Sequence, residues 1–400
     1  MEHTKIAPAK RVRGILALED GHCFPGISIG VEDISSGEVV FNTSLTGYQE
    51  IISDMSHAGQ IVAMAAPQVG NVGVNPEDDE SVKPLLKGLL MREFSSRVSN
   101  WRATERLDDY LLRHKIVALS EIDTRSLTQH LCEHGLKRGI IAAGDWDAGE
   151  LIRRAREVPR LEEIDFVDSL TVSEIVEWSD PLPGLAVGYA HAQQPSVVGL
   201  KCSTPGPANL VQHAEMQHPI CSKTIAVYDF GVRRSVLRSL ASLGAKVILV
   251  PARTSAADVL KLQPDGVVLS NGPGDPARLK SIAAEIAKLV GRVPLLGIGL
   301  GHQLLGMALG ASTNRLPFGH FGTQPVRDTR TGKIAITFQD HSFCVDSKTL
   351  PSEVEVSHVN VQDGTVEGLR HKDLPILSVQ FRPESGPHES ADLYEQFLRL

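Results

Sequence analysis

The sequence predicts an α/β protein with two domains: a mixed α/β amino-terminal domain, followed by a domain built on a doubly wound, mostly parallel sheet. Two observations support this prediction. From about residue 223 onward, short and continuously apolar strands alternate with short helices, which is typical of a parallel sheet covered on both faces. In addition, the chain has 400 residues, of which 42% are hydrophobic, so it can form two or three compact domains.

The carboxy-terminal domain is predicted to span residues 223–400. Apolar runs predict strands, and they alternate with helices whose apolar residues recur every three or four positions. These strands cover residues 224–230, 245–250, 266–270 and 293–298, and the helices lie near 236–243, 255–262 and 277–290. After Gly310 the pattern changes to strands at 334–338, 353–359, 365–371 and 376–381, followed by a last helix at about 389–400.

The amino-terminal domain is predicted to span residues 1–175 and is richer in short strands. Helical spacing of apolar residues predicts one helix at 107–113 and another at 126–133. Residues 176–222 are predicted to form a linker, because the stretch 193–222 combines proline and glycine with little periodicity.

Composition excludes several classes of protein. A net charge of −8, from 40 basic and 48 acidic residues, does not favour a nucleic-acid binder with a basic face. The five cysteines form no Cys-x-x-Cys pair, which argues against a disulfide scaffold or structural zinc site and favours a reducing compartment. No signal peptide is visible, and apolar runs such as 61–66 are far shorter than a membrane helix of roughly 18 residues. We therefore expect a cytoplasmic protein with no metal and no membrane partner.

Two glycine-rich loops follow predicted strands, at the sheet edge where parallel α/β proteins carry their chemistry. Residues 297–303 read Gly-Ile-Gly-Leu-Gly-His-Gln. A dinucleotide-binding loop would need a third glycine where His302 stands. The spacing fits a nucleophile elbow better, with Gly297 and Gly301 as flanks, but Gly299 at the apex has no side chain. A tight glycine turn without chemistry is the alternative.

The other loop, residues 270–276, reads Ser-Asn-Gly-Pro-Gly-Asp-Pro. It is not a Walker loop, because no Gly-Lys-Ser/Thr follows. It is either a plain strand-to-helix turn or a place where a backbone amide near Gly272 or Gly274 points at an anion, as in an oxyanion hole.

The carboxy-terminal domain resembles a class I glutamine amidotransferase domain. This resemblance rests on residues 228–231, 270–276, 297–305, 318–320 and 383–384. The amino-terminal domain resembles the small subunit of carbamoyl-phosphate synthetase, through residues 38–50, 70–73 and 122–125. Residues 38–50, Glu-Val-Val-Phe-Asn-Thr-Ser-Leu-Thr-Gly-Tyr-Gln-Glu, are highly specific, and the resemblance covers nearly the whole chain.

The resemblance implies a glutaminase that serves arginine or pyrimidine biosynthesis. In that family a cysteine at the elbow attacks the side-chain amide of glutamine, and a histidine oriented by a glutamate acts as base. Ammonia then passes to a large synthetase subunit, which uses bicarbonate and ATP. The resemblance therefore implies a large subunit as partner and glutamine or a related small molecule as ligand. It implies no cofactor in this chain, since ATP and magnesium would belong to the large subunit.

The sequence departs from the family at the residues on which hydrolysis depends. Gly299 stands where the family has the nucleophilic cysteine, and Arg382 stands where it has the basic histidine, so only Glu384 remains of the triad. The family's glutamine-binding motif Asn-His-Gly-Phe reads Asp-His-Ser-Phe at residues 340–343. The remnants of the glutamine site that the resemblance implies are Ser56, Gly272, Gly274, Leu300, Gln303, Asp340, Ser342 and Phe343.

These departures predict a pseudo-glutaminase that acts as a structural or regulatory subunit. Glycine offers no nucleophile, and arginine keeps its proton at physiological pH and cannot act as a general base. We expect Arg382 to pair with Glu384 or Asp340. Two alternatives stay open. One is an active glutaminase in which Cys344 and His341 replace the lost groups, and the other is a repurposed protein in which Arg382 binds a different anion.

Overall fold

The computed structural model describes residues 12–182, 222–385 and 388–400. Within these ranges the chain forms two sheets, one in each predicted domain, and the predicted fold class is confirmed. Most of the predicted linker, including its stretch rich in proline and glycine, lies outside the described residues. The cysteines that are described, Cys23, Cys132 and Cys344, are free thiols.

The amino-terminal domain is built on a closed barrel with the strand order β1-β2-β6-β5-β4-β3-β7. Its strands are β1 Arg13–Leu18, β2 Cys23–Ser28, β3 Ile34–Asn42, β4 Gln60–Met64, β5 Gly88–Leu90, β6 Ala118–Ser120 and β7 Lys137–Ala143. Its α-helices are α1 Tyr48–Ser53, α2 Leu107–Arg113, α3 Thr124–His134, α4 Ala148–Ala155 and α5 Val167–Leu170. Helices α2 and α3 are the two helices that the spacing of apolar residues predicts. Inside the barrel, buried side chains such as Leu16 and Ile61 form a core cluster with residues of other barrel strands.

The carboxy-terminal domain contains a sheet with the strand order β14-β13-β15-β16-β17-β12-β11-β9-β10-β8. Its strands are β8 Val176–Trp178, β9 Thr224–Asp229, β10 Lys246–Pro251, β11 Gly266–Leu269, β12 Leu295–Ile298, β13 Thr313–Asp328, β14 Ile334–Val345, β15 Val354–Asn360, β16 Val366–His371 and β17 Ile376–Val379. Its α-helices are α6 Arg234–Ser242, α7 Ala256–Lys261, α8 Lys280–Ala287, α9 Leu300–Ala308 and α10 His388–Arg399. The central strands β10, β9, β11, β12 and β17 pair in parallel, and antiparallel strands extend both ends.

The central strands are continuously apolar because helices cover both faces of the sheet. Ala226 on one face belongs to the same buried cluster as residues of α7, α8 and α9, whereas Val227 packs with residues of α6 and α10. Both are fully buried. Period-two alternation is therefore absent from these strands. None of the helices in the described part of the chain has the length and apolarity needed to cross a bilayer.

Two strands differ from the sequence prediction. Strand β8 lies within residues predicted as linker and pairs antiparallel with β10 at the edge of the sheet. Strand β13 was not predicted, because Pro317, Gly319, Gly322 and Pro325 interrupt its apolar pattern. It forms through pairing with β14, and its register shifts between Arg315 and His320.

Glu80 joins the two domains through the start of α6. This buried residue of the amino-terminal domain accepts the backbone amide of Ser235 at 2.9 Å, and its carbonyl accepts that of Arg234 at 3.0 Å. Its carboxylate also pairs with Arg233 Nη2 at 2.7 Å, and both side chains are more than nine-tenths buried. A negative charge at a helix N-terminus is favourable, and here it also neutralises a buried guanidinium.

We expect Glu80→Gln to lower the free energy of unfolding by about 3 kcal/mol or more, because it leaves a buried arginine with one carboxylate fewer. Glu77→Gln is the matched control, since Glu77 forms an exposed ion pair with Arg102 and its loss costs less than about 1 kcal/mol. Urea unfolding of both variants measures the difference. Equal effects would show that Glu80 does not stabilise the interface through its charge.

Candidate functional site

The strand-to-helix turn at Gly299 has the backbone shape of an elbow. Gly299 separates β12 from α9 at φ 57° and ψ −113°, a conformation that residues with side chains rarely adopt. Its amide donates to the carbonyl of Val379 at 3.0 Å. A Cβ at Gly301 would lie 2.0 Å from the carbonyl oxygen of Leu269, so the turn packs directly against β11. The close packing of an elbow is present, but its apex has no side chain.

The loop at residues 270–276 follows β11 and lies beside this turn. A Cβ at Gly272 would lie 2.2 Å from the carbonyl oxygen of Phe230, so a side chain at this position would collide with the backbone. Asn271 donates from Nδ2 to Ser56 Oγ at 3.2 Å. This bond brings a residue of the amino-terminal domain to the loop, so the site is assembled from both domains.

One cavity of about 40 Å³ brings together almost all of the predicted site residues. Those that line it are Ser56, Gly272, Gly274, Gly299, Leu300, Gln303, Asp340, Ser342, Phe343 and Arg382. Glu384 is the exception, because it does not line the cavity; its carboxylate accepts hydrogen bonds from Arg233 and Tyr394. A volume of this size leaves room for only a few water molecules.

Arg382 closes the cavity through a buried ion pair. Its guanidinium contacts the carboxylates of Asp54 and Asp340, which are almost completely buried. Its backbone amide donates to the carbonyl of Phe338 at 2.9 Å and fixes the residue against β14. The expected pairing with Asp340 is confirmed, whereas Glu384 pairs with Arg233 instead.

Asp340 is held from the amino-terminal domain as well. Asn42 donates from Nδ2 to Asp340 Oδ1 at 3.0 Å, and His57 Nε2 lies 3.0 Å from the same oxygen. The other ring nitrogen of His57 lies 2.9 Å from Gln60 Oε1. The position that the resemblance assigns to glutamine binding is therefore part of a contact between domains.

Arg233 forms the second half of this charged cluster. It is 2% exposed and lies 2.8 Å from Glu384 Oε1 and 3.6 Å from Asp54 Oδ2, in addition to its contact with Glu80. Asp54 thus lies between two guanidinium groups. Ion pairs connect six side chains into one charged cluster: Asp54, Glu80, Arg233, Asp340, Arg382 and Glu384.

Burial and charge compete in setting the pKa values of this cluster. Burial opposes ionisation of Asp54, but the positive charges of Arg382 and Arg233 outweigh it and hold the pKa of this carboxyl well below its usual range. For Glu384 burial wins over the charge of Arg233, and its pKa is raised. Burial and then the charge of Arg233 lower the pKa of Arg382, although an arginine still keeps its proton at physiological pH.

Cys344 and His341 do not form a nucleophile and base pair. Burial raises the pKa of the Cys344 thiol to about 11, and Glu367 and Asp363 add to the effect, so the reactive thiolate is scarce at neutral pH. Both ring nitrogens of His341 are engaged, with the carbonyl of Phe343 at 2.7 Å and Gln339 Oε1 at 2.8 Å. The structure does not favour hydrolysis through these surrogate groups.

Sequence reasoning missed Asn42, Asp54, His57, Glu80 and Arg233. None of these residues lies in a glycine-rich loop or beside a triad position. Asn42 lies within the stretch 38–50 that carries the resemblance, and this is the one signal that could have indicated it. The others become part of the site only when the two domains pack together.

A larger cavity of about 280 Å³ lies on the other side of Phe381, which lines both cavities. Leu369 and Val379 form part of its apolar wall, and His358 and Arg370 contribute polar groups. Arg370 is paired with Glu355 at 2.7 Å. None of the predicted site residues lines this cavity.

Comparison with known proteins agrees with both domains. The family described as "Glutamine amidotransferase class-I" matches residues 226–399, and "Carbamoyl-phosphate synthase small chain, CPSase domain" matches residues 16–141. Among solved structures, a glutamine amidotransferase from Thermotoga maritima aligns with 42% of this chain and 77% of its own, at 18% identity and a TM-score of 0.33. The fold and the two matches define a class I amidotransferase domain joined to a small-chain domain.

Relatives that match over nearly the full length identify the family of the whole chain. The carbamoyl phosphate synthase small chain of Aquifex aeolicus is 42% identical over 98% of this chain and 99% of its own length. That of Syntrophotalea carbinolica is 42% identical over 97% and 98%, and that of Photorhabdus laumondii is 44% identical over 96% and 95%. This chain belongs to the carbamoyl phosphate synthase small chain family.

The buried His57 predicts a loss of stability in mild acid. Burial lowers its pKa to about 4, so the folded protein keeps it neutral while the unfolded chain binds a proton near pH 6.5. Its contribution is therefore present above pH 6.5 and is lost as the pH falls towards 4. From pH 7.5 to 4.5, we expect the unfolding free energy to fall by about 2–3 kcal/mol more in the wild type than in His57→Gln.

Urea unfolding at the two pH values measures this difference. The buried His302 and His341 also have lowered pKa values and are present in both proteins, so their effect cancels in the comparison. Parallel pH profiles for the wild type and His57→Gln would contradict the assignment of the effect to His57.

Proposed function

We propose that this chain is a carbamoyl phosphate synthase small chain that no longer hydrolyses glutamine. In this proposal it is a structural or regulatory partner of a synthase whose large chain depends on free ammonia. One observation carries the proposal: the elbow has glycine at its apex, and the residue at the base position is an arginine bound in a buried ion pair.

The chemistry of amide hydrolysis supports it. A thiolate or another nucleophile must attack the amide carbon, and Gly299 offers none. Arg382 cannot accept a proton, and its guanidinium is held by Asp54 and Asp340. Triad members act as a unit, so the loss of two leaves at most residual catalysis. The carboxylates around Arg382 also leave it poorly placed to bind an outside anion.

Two departures from the family pattern compensate each other. The resemblance places a neutral amide at residue 340 and a histidine at 382, whereas this chain has Asp340 in contact with Arg382. A lone charge in such a buried position would be strongly destabilising, but two opposite charges in contact offset much of the cost. The Asp340–Arg382 pair therefore fits a site that stabilises the fold and does not hydrolyse glutamine.

The decisive experiment rebuilds the triad and removes the orphaned charge. The triple variant Gly299→Cys, Arg382→His, Asp340→Asn should release ammonia from glutamine at least about 1,000-fold faster than the wild type. This estimate is conservative, because loss of a triad costs roughly a million-fold in another hydrolase. The control carries Gly299→Ala with the same two other changes and should stay inactive. A Cβ at residue 299 lies 3.2 Å from Asn271 Cβ at positive φ, so folding is checked in parallel.

One outcome would contradict this proposal, and another would show that the site has lost more than its nucleophile and base. If the wild type hydrolyses glutamine as fast as the folded triple variant, the chain is an active glutaminase. If the folded triple variant stays inactive while the wild type is also inactive, the glutamine pocket itself has been lost. In that case the proposal stands, and Ser342, which the triple variant leaves unchanged in the altered glutamine-binding motif, is the next residue to restore.

We expect the chain to bind the large chain of its own cell and to leave the complex dependent on ammonia. Full-length similarity to carbamoyl phosphate synthase small chains supports a large chain as the partner. In this proposal ATP and magnesium belong to the large chain, and no cofactor is assigned to this one. The reconstituted complex should form carbamoyl phosphate from ammonia and fail with glutamine. Failure of the two chains to co-elute would contradict the partner assignment.

A further inference from the structure

A group of histidine and aspartate side chains lies on the barrel, remote in sequence from the cavity residues. Asp20 and His22 lie in the turn between β1 and β2, and His130 lies on α3. His130 Nε2 is 2.7 Å from Asp20 Oδ2, and His22 Nδ1 is 3.2 Å from Asp20 Oδ1. The side chain of His130 is 10% exposed, whereas that of His22 is 59% exposed. The group is therefore held by the nearly buried His130 and is open to solvent at His22.

The three histidine rings are also close to one another, with the first pair tilted and the second stacked. The ring centroids of His22 and His130 are 4.0 Å apart, and those of His130 and His134 are 4.6 Å apart. His134 follows His130 by one helical turn, and its Nδ1 lies 3.1 Å from the carbonyl oxygen of His130. Donation from Nδ1 to this carbonyl leaves Nε2 with a free lone pair, which is the arrangement typical of a metal-binding histidine.

We propose that Asp20, His22 and His130 form a binding site for a divalent cation of the zinc class. One ligand atom of each residue lies within 4.8 Å of the corresponding atoms of the other two. Zinc bonds of roughly 2.0–2.2 Å in tetrahedral geometry place neighbouring ligand atoms about 3.3 Å apart, so small rotations of these side chains are sufficient. Two imidazoles and one carboxylate suit zinc, nickel or copper better than calcium or magnesium.

Asp20 contacts both histidines, so its carboxylate lies between the other two ligands. The two other ligands come from a hairpin turn and a helix that are 108 positions apart (130 − 22). A bound ion would therefore join the first hairpin of the barrel to α3. Three protein ligands leave one tetrahedral position for water or for His134.

The ligands of this site are dispersed along the chain, and no Cys-x-x-Cys motif marks them. His130 and His134 have the i, i+4 spacing of zinc-binding helices, but such a pair needs a third ligand from elsewhere. Only the fold brings the turn of β1 and β2 next to α3. Cysteine patterns, on which the expectation of no metal rests, carry no information about histidine ligands.

Titration of the full-length chain with zinc, after treatment with a chelator, tests the proposal. Calorimetry should show one zinc ion per chain, and zinc should raise the melting temperature of the wild type. Each of His22→Ala and His130→Ala should weaken binding by more than about 10-fold, since even outer-shell partners of a metal contribute that much. The double variant should lose both the bound ion and the thermal shift. Circular dichroism checks that it folds.

His114→Ala is the matched control, because His114 is a partly exposed histidine at the end of α2 and outside the group. It should bind zinc as the wild type does. Retention of one zinc ion per chain by the folded double variant would place the ion elsewhere, for example at the buried cluster of His320, His341 and Glu367, and would overturn the proposal. Absence of zinc binding to the wild type would overturn it as well. If the double variant fails to fold, the two single variants provide the same test.

Discussion

Two arginines buried between the domains must be neutralised, and much of the site depends on this constraint. A guanidinium away from water is strongly destabilising unless carboxylates contact it, and each such carboxylate is costly unless a cation contacts it. Arg233 and Arg382 share Asp54, and further carboxylates complete their surroundings. Asp54 and Glu80 come from one domain and the two arginines from the other. Separation of the domains would therefore break these ion pairs and leave each charge to be solvated by water.

Backbone packing, and not charge, explains why the turn at Gly299 keeps its shape without a nucleophile at its apex. The glycines at 272 and 301 are required by backbone contacts and not by chemistry, because a Cβ at either would collide with a carbonyl oxygen. The elbow is a tightly packed turn that connects β12 to α9. The shape of this turn does not depend on a catalytic side chain at its apex, so glycine is tolerated at residue 299.

Much of the carboxy-terminal fold was predictable because its central strands are buried on both faces and its helices are amphipathic. These patterns are local, as is the glycine spacing of the elbow. Strand β13 was missed because its prolines and glycines obscure the pattern, and pairing with β14 supplies its stability. Among the site residues, Arg382 was expected to pair with Glu384 or Asp340, and the structure shows Asp340 as its partner. Asp54 and Arg233 were missed because no local pattern marks a residue whose partner lies in the other domain.

The two-domain α/β architecture, the family resemblance and the absence of a nucleophile at residue 299 can all be derived from the amino-acid sequence. These follow from residue identity and short-range periodicity, which are properties of a linear chain. The fold was needed to show which carboxylates neutralise Arg382, that Glu384 pairs with Arg233, and that histidines 108 positions apart meet beside Asp20. Ion pairing and metal coordination act between side chains a few ångströms apart, and chain folding alone sets those distances.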